Sequence, residues 1–282
     1  VSGQIVAGAA VEDATSGRAA VPASVPRAPR FTWWRGLLFP VGLLLLAEVL
    51  FDSSGIQSDS LAAPSEMLIE GWGALLDGSL LQATADTLIA AFGGLALGGS
   101  VGLLLGLILG TIPVLDRLME FTIEAVRPIP SVALIPVALL VYGFGYRMEI
   151  AVVTFASTWP VLILTRSAIA GIEPRLIEVA RALRFNMVQR IWKIVLPAAL
   201  PRIFVGFRLA AGVALIVAVT CEISANPLGL GYGMMMAEQS LHPALMLAFL
   251  LWIGLVGWGL NWALVTSQNR LFGRAALVEQ AR

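Results

Sequence analysis

The sequence contains one lysine, Lys193, one histidine, His242, and one cysteine, Cys221. Each scarcity removes a class of chemistry. A phosphate-binding loop needs Gly-Lys-Ser/Thr after a glycine-rich turn. Lys193 follows Trp192, so the chain has no such loop. A single cysteine excludes a disulfide within the chain. One cysteine and one histidine leave little for a metal site or a Cys–His nucleophile pair. No clustered nucleophiles or paired acids stand out, which speaks against a membrane enzyme. Charge is scarce too. Only 13% of residues are charged and the formal net charge is zero, so attraction to nucleic acid is not expected.

What is abundant is apolar. Hydrophobic residues make up 58% of the 282, and the mean hydropathy is +0.87. Soluble domains hold about 45–50% apolar and about 25% charged residues. The apolar residues come in long runs, which places the chain in a lipid bilayer.

About 20 apolar residues cross a bilayer as a helix. Six segments qualify: 33–51, 86–110, 120–143, 149–167, 203–223 and 244–266. The expected fold is an all-α integral membrane protein with six transmembrane helices. Residues 1–30 carry Pro22, Pro26 and Pro29, and their first basic residue is Arg18. That pattern predicts a disordered cytoplasmic tail rather than a signal peptide. A transmembrane domain is expected over 31–270, and a cytoplasmic tail over 271–282. Within the acidic connection 52–83, the piece PSEMLIEGWGALL reads as a short amphipathic helix on the membrane.

The second span repeats glycine at every fourth residue: Gly94, Gly98, Gly102, Gly106 and Gly110. This stripe predicts close helix packing. The third span contains Pro128, Pro130 and Pro136. Proline frees a backbone carbonyl, and a bilayer tolerates that only where protein or a water-lined cavity satisfies it. The third span is therefore expected to break and to face other helices or a pathway. Trp159-Pro160 predicts a further kink in the fourth span.

Positive residues stay on the cytoplasmic side of span ends. With both termini inside, only Arg147 of the 18 Lys and Arg residues is left outside. This predicts an N-in, C-in topology. It places residues 170–202, AGIEPRLIEVARALRFNMVQRIWKIVLPAALPR, in a cytoplasmic loop rich in arginine. Pro174 suits a first helical turn. Leu176, Val179, Ala180, Leu183 and Met187 then share one helical face. A second piece, MVQRIWKIVL, is expected to end at Pro197. An amphipathic helix of this kind can rest on lipid headgroups or dock in a partner's groove, and the residues alone do not choose between the two.

The stretch EVARALRFNMVQRIWKIVLPAALP resembles the loop of ATP-binding-cassette importer permeases. Their pattern is Glu-Ala-Ala, three residues, Gly, about nine residues, then Ile-x-Leu-Pro. Here it is matched by Glu178, Val179, Ala180, Arg184 at the glycine position, and Ile194, Leu196 and Pro197. RPIPSVALIPVALLVYGFG (127–145) and CEISANPLGLGYG (221–233) are similar to the branch that imports nitrate, sulfonates, taurine or bicarbonate.

The resemblance implies the type I importer permease fold, in the bacterial inner membrane. It implies a coupling helix that fits a cleft on a separate ATPase, through Glu178, Ala180, Arg181, Leu183, Arg184 and Phe185. It also implies a second copy of the chain, two ATP-binding subunits that hold the ATP and Mg, and an extracytoplasmic solute-binding protein. No cofactor is expected in this chain. Arg184 departs from the family glycine. Since Asn tolerates the left-handed region better than most residues, the helix is expected to run past Arg184 and turn near Asn186.

Candidates for a translocation pathway or gate are Arg127, Pro128, Pro130, Arg208, Glu222, Asn226 and Met234. Arg127 could attract an anion, snorkel, or pair with Glu124. Glu222 could position the outer connection or anchor the interface. Residues 224–243 read as a glycine-rich outer loop, and His242 as a plain loop histidine. The competing function is a self-sufficient secondary transporter. Such carriers often show repeats and ionisable residues at mid-membrane, and neither is evident.

Overall fold

The computed structural model describes residues 33–54 and 62–273. The expected tail at 1–30 lies outside the described residues, and so does the terminal tail beyond 273. The chain divides into two units, Val1–Leu44 and Leu45–Arg282. The boundary falls within the first helix, α1 (Trp33–Ser54). Of the first unit, only the opening part of α1 is described. All that follows concerns the second.

Every regular element described is helical. Proline sits in the first turn of α2 (Pro64–Leu76), α4 (Pro113–Val126), α7 (Pro174–Ala182) and α11 (Pro243–Phe272). There its missing N–H has no intrahelical partner to lose. The bounds of α2 match the amphipathic piece read from the sequence. Ser65 binds the Glu48 carboxylate through its hydroxyl (2.6 Å) and its amide (3.0 Å). The turn after α2 is closed by Asp77, whose Oδ1 accepts the Ser79 amide at 2.8 Å. That bond favours the charged form and holds the carboxyl below its ordinary 3.8.

Among the described residues, four helical runs are long and apolar enough to cross a membrane, or five if one bent pair counts as a span. The central helices are α3 (Ser79–Thr111), α6 (Tyr146–Ala170) and α9 (Leu196–Ser224). Pro160 lies inside α6, which continues through it. The glycine stripe of α3 lies against α6, as the spacing predicts. A Cβ on Gly102 would come 2.5 Å from the Thr158 carbonyl oxygen, and one on Gly106 2.6 Å from the Thr165 Cβ. Without side chains the two backbones approach closely, and packing rather than hydrophobic transfer holds helices together in lipid.

The third span breaks where the prolines fall. Helix α4 and the stretch Ser131–Tyr142 meet at 80° across Pro128 and Pro130. The second arm opens with a 3₁₀ turn, Ser131–Leu134, and continues as α5 (Ile135–Tyr142) with Pro136 in its first turn. Ile135 and Ala138 of α5 join Met148, Val152 and Val153 of α6, and Ala214 and Ala218 of α9, in one core. Leu140 and Val141 point away from it and are exposed. Of the four long apolar runs, α11 is the least buried. Only 11% of its most apolar stretch is buried, against 56% for α6.

The sequence reading ends a helix at Pro197, and the structure corrects this. The chain passes from α8 (Met187–Arg190) through a π-helical turn, Ile191–Val195, straight into α9. The Leu196 amide donates to the Ile191 carbonyl, five residues back. That wider turn resets the register, so Pro197 falls in the opening turn of α9, where its missing donor costs little.

The connection 224–243, expected as an outer loop, is mostly helix: α10 (Gly229–Gln239) fills it. It is covered by α3, α9 and α11.

Candidate functional site

Two regions hold the candidate residues. The first is the loop between α6 and α9. Helix α7 ends in a Schellman motif: the Phe185 amide donates to the Ala180 carbonyl and the Arg184 amide to the Arg181 carbonyl, both at 3.0 Å. These bonds require a left-handed residue at the position after the cap. That residue is Arg184, at φ 52. The expected turn near Asn186 is thus corrected: the turn stays at the glycine position and arginine occupies it. Asn186 is unavailable because it caps the next helix. Its Oδ1 accepts the Gln189 amide (2.8 Å) while Gln189 Oε1 accepts the Asn186 amide (3.1 Å). This capping box needs an extended residue, and Asn186 has φ −69 and ψ 170. The Asn-x-x-Gln spacing was the signal for it.

Four of the six coupling candidates, Glu178, Arg181, Leu183 and Arg184, are exposed. Phe185 is half-buried, with the Lys193 ammonium 5.1 Å from its ring centre. Ala180 differs. It is 1% exposed and turns into its own chain, so its small size serves internal packing. The apolar face read from the sequence is therefore split. Ile177 packs inward on a core of Ala168, Ile172, Val195 and Ile203. Leu176, Val179, Leu183 and Met187 remain exposed, and the extra bulk of Val179 meets open space.

The second region lies where α6 begins and α9 ends. Glu222 is 2% exposed. Its Oε2 accepts the Gly231 amide at 2.8 Å. The Leu230 amide donates to Thr87 Oγ1 of α3 at 2.9 Å. The first turn of α10 thus takes its caps from two other helices, which is why a glycine-rich segment becomes helical here. Gly229 is required on two counts. Its φ is 87, and a Cβ there would collide with the Glu222 carboxyl.

Asn226 is 1% exposed and bridges two turns. Its Oδ1 accepts the Gly145 amide (2.9 Å) and its Nδ2 donates to Glu149 Oε2 (2.7 Å). Glu149, itself 1% exposed, lies beside Glu222. The expectation of no paired acids is corrected here: these residues, 73 positions apart, meet only through the packing of α6 on α9. An acid in the first turn of a span was the available signal. Close by, the Tyr146 hydroxyl donates to Asp86 at 2.6 Å. Met234 is half-buried on α10, against the core of Leu80, Leu230 and Phe249.

The remaining candidates stand apart. Arg127, Pro128 and Pro130 are exposed at the 80° bend, and no ion pair joins Arg127 to Glu124 among the described residues. Arg208 of α9 donates to Gln268 of α11 at 3.1 Å, and Gln268 is buried. The ion pair that ties α4 to α6 is one the sequence reading did not single out. Arg166 holds Asp116 with Nε at 2.5 Å and Nη2 at 2.9 Å, and reaches Glu120 at 3.6 Å. Among the described residues no group of three or more His, Cys, Asp or Glu could hold a metal ion.

Comparison with known proteins agrees with this architecture. Residues 102–276 match the family described as "binding-protein-dependent transport system inner membrane component". The Bacillus subtilis (strain 168) protein named for aliphatic sulfonates transport, SsuC, is 30% identical over 214 residues, covering 76% of this chain and 78% of its own. The taurine transport system permease protein TauC of Escherichia coli (strain K12) is 27% identical over 244 residues, covering 85% and 84%. In fold, the chain resembles a crystal structure of an amino acid ABC transporter, with a TM-score of 0.57 at 15% identity, over 70% of this chain and 97% of the other. The chain is a multi-pass inner-membrane protein. It belongs to the binding-protein-dependent ABC importer permeases, in the branch whose members are named for sulfonate, taurine, nitrate and bicarbonate transport.

Proposed function

We propose that this permease subunit forms the pathway for a small anion, such as nitrate, a sulfonate, taurine or bicarbonate, and couples its passage to ATP hydrolysis on a separate polypeptide. Six spans place both termini in the cytoplasm, with the transmembrane domain over 31–270 and a cytoplasmic tail on either side. Two copies of the chain pair with two ATP-binding subunits, which bind the ATP and Mg, and with a solute-binding protein outside. Binding energy and ATP shift the pair between inward-open and outward-open states. Arg127 and Arg208 are the cations offered to an anion, alongside Pro128, Pro130, Glu222, Asn226 and Met234 as pathway or gate positions.

One observation carries the reading: a short helix in the basic loop keeps Leu176, Val179 and Leu183 exposed while Ile177 and Ala180 anchor it. An anchored helix with an apolar outer face is what a rigid coupling element needs in order to transmit force. The contact set is Glu178, Arg181, Leu183, Arg184 and Phe185, with Ala180 holding the helix from behind. The sequence holds no phosphate-binding loop, which supports an ATPase on a partner chain.

The test is a mild-detergent purification from native cells. An ATPase is expected to copurify in about stoichiometric amount. Leu183→Asp should remove it with little change in the thermal midpoint, since Leu183 is 58% exposed. Ile177→Ala should instead lower stability by about 2 kcal/mol, as a partly buried core side chain is truncated. Uptake into proteoliposomes by the chain alone, without ATP, would sink the proposal.

A further inference from the structure

The region around Glu149 and Glu222 has a hydrogen-bonding imbalance that the transport role does not explain. Both side chains are almost fully buried, at 1% and 2% exposed. Their carboxyls are near neighbours between α6 and α9. Each has one donor on Oε2, from Asn226 Nδ2 at 2.7 Å and from the Gly231 amide at 2.8 Å. Each also keeps a buried Oε1 that no donor meets among the described residues.

The neighbours do not correct this. The ionisable groups around the pair are Asp86, Tyr146 and Cys221, and none is a cation. Tyr146 gives its hydroxyl proton to Asp86. Thr87, beside Glu222, gives its own to the Ala83 carbonyl at 3.0 Å. Two adjacent carboxylates with no cation and a deficit of donors repel each other, and a buried polar atom without a partner is costly.

We infer that Glu149 and Glu222 bind one proton between them, as a carboxylic acid hydrogen-bonded to a carboxylate. The proton supplies the missing donor and removes one of two like charges. It also completes a clasp across four elements. Glu149 stands on α6, Glu222 on α9, Gly231 on α10, and Asn226 holds the Gly145 turn before α6. Loss of the proton would set the start of α6 and the end of α9 against each other.

The experiment is infrared spectroscopy on the purified chain in lipid nanodiscs, with the subunits that accompany it. The wild-type protein should show the carbonyl stretch of a protonated carboxyl, shifted in D₂O and shifted again by ¹³C-labelled glutamate. Both E149Q and E222Q should lose that band and keep a thermal midpoint within about 2 °C of wild type, because an amide N–H replaces the proton. E222A should lower the midpoint by more. The label separates glutamate from Asp86 without any variant, so the inference stays testable if a variant fails to fold. It is overturned if glutamate contributes no protonated band, if the band survives in both Gln variants, or if metal analysis finds a stoichiometric cation with the carboxyls ionised.

Discussion

The amide of Gly231 donates to Glu222 Oε2 at 2.8 Å, so α10 begins on a carboxylate of the helix before it. With the Leu230 amide on Thr87, two of the four N-terminal amides that a helix leaves unpaired are satisfied from α9 and α3. An anionic side chain at a helix N-terminus also opposes the positive end of the macrodipole. An apparently featureless glycine-rich connection is therefore a packed helix, and its start is fixed from outside itself.

Gly229→Ala tests this cap. Alanine would meet both the positive φ and the Glu222 carboxyl. We expect loss of at least about 2 kcal/mol, seen as a lower thermal midpoint and less folded protein in the membrane. An unchanged midpoint would refute the cap. Gly254→Ala, with nothing within 4 Å of the new Cβ, is the neutral control.

Arg184 sits in the left-handed region with its closing bonds intact. Glycine reaches that conformation freely, although it loses more chain entropy on folding. Arg184→Gly is expected to raise stability by about 0.5–1 kcal/mol. Arg184→Val should lower it by more than that, since a β-branched residue fits positive φ worst. Thermal unfolding of the three proteins in one detergent decides the order; the reverse order would mean the turn lies elsewhere.

The α3–α6 contact predicts a graded response. Gly102→Val puts a branched side chain 2.5 Å from a carbonyl oxygen on α6. Helix backbones cannot yield locally, so a loss of about 2–3 kcal/mol is expected. Gly212→Ala, which has open space around it, should be neutral or stabilising by a few tenths of a kcal/mol. Equal midpoints for the two variants would contradict the close approach.

The α2–α3 turn carries a pH signature. The Ser79 amide favours ionised Asp77, whose value is lowered from 3.8. The stabilisation is fully present above the unfolded value and fades as pH falls through the lower, folded one. A ¹³C NMR titration of Asp77 should give a midpoint below 3.8; a midpoint above it would show that the turn does not form.

The α6–α9 loop and the cluster around Glu222 differ in how legible they are in the sequence. Pro174, the helical spacing after it, and the basic residues mark α7 as a short exposed amphipathic helix, because those signals are local. The turn at Arg184 is not legible locally, because a Schellman closure depends on which carbonyls the following amides reach and Asn186 is engaged in a capping box. The split of the apolar face, with Ile177 inward and Leu183 outward, depends on where α9 passes behind the helix.

Composition and periodicity by themselves determined that this chain lives in a bilayer, where its long apolar helices lie, where prolines break the chain between α4 and α5, and which face of α3 a neighbour can approach. These are properties of residues a few positions apart, and hydropathy and backbone donors act at that range. Only the tertiary structure decided that Glu149 would lie beside Glu222, that Asn226 would join two turns, and that Glu222 and Thr87 would cap α10. Those contacts span from nine to 143 residues of sequence, and they exist because α3, α6 and α9 pack closely enough to bring distant polar groups together out of water.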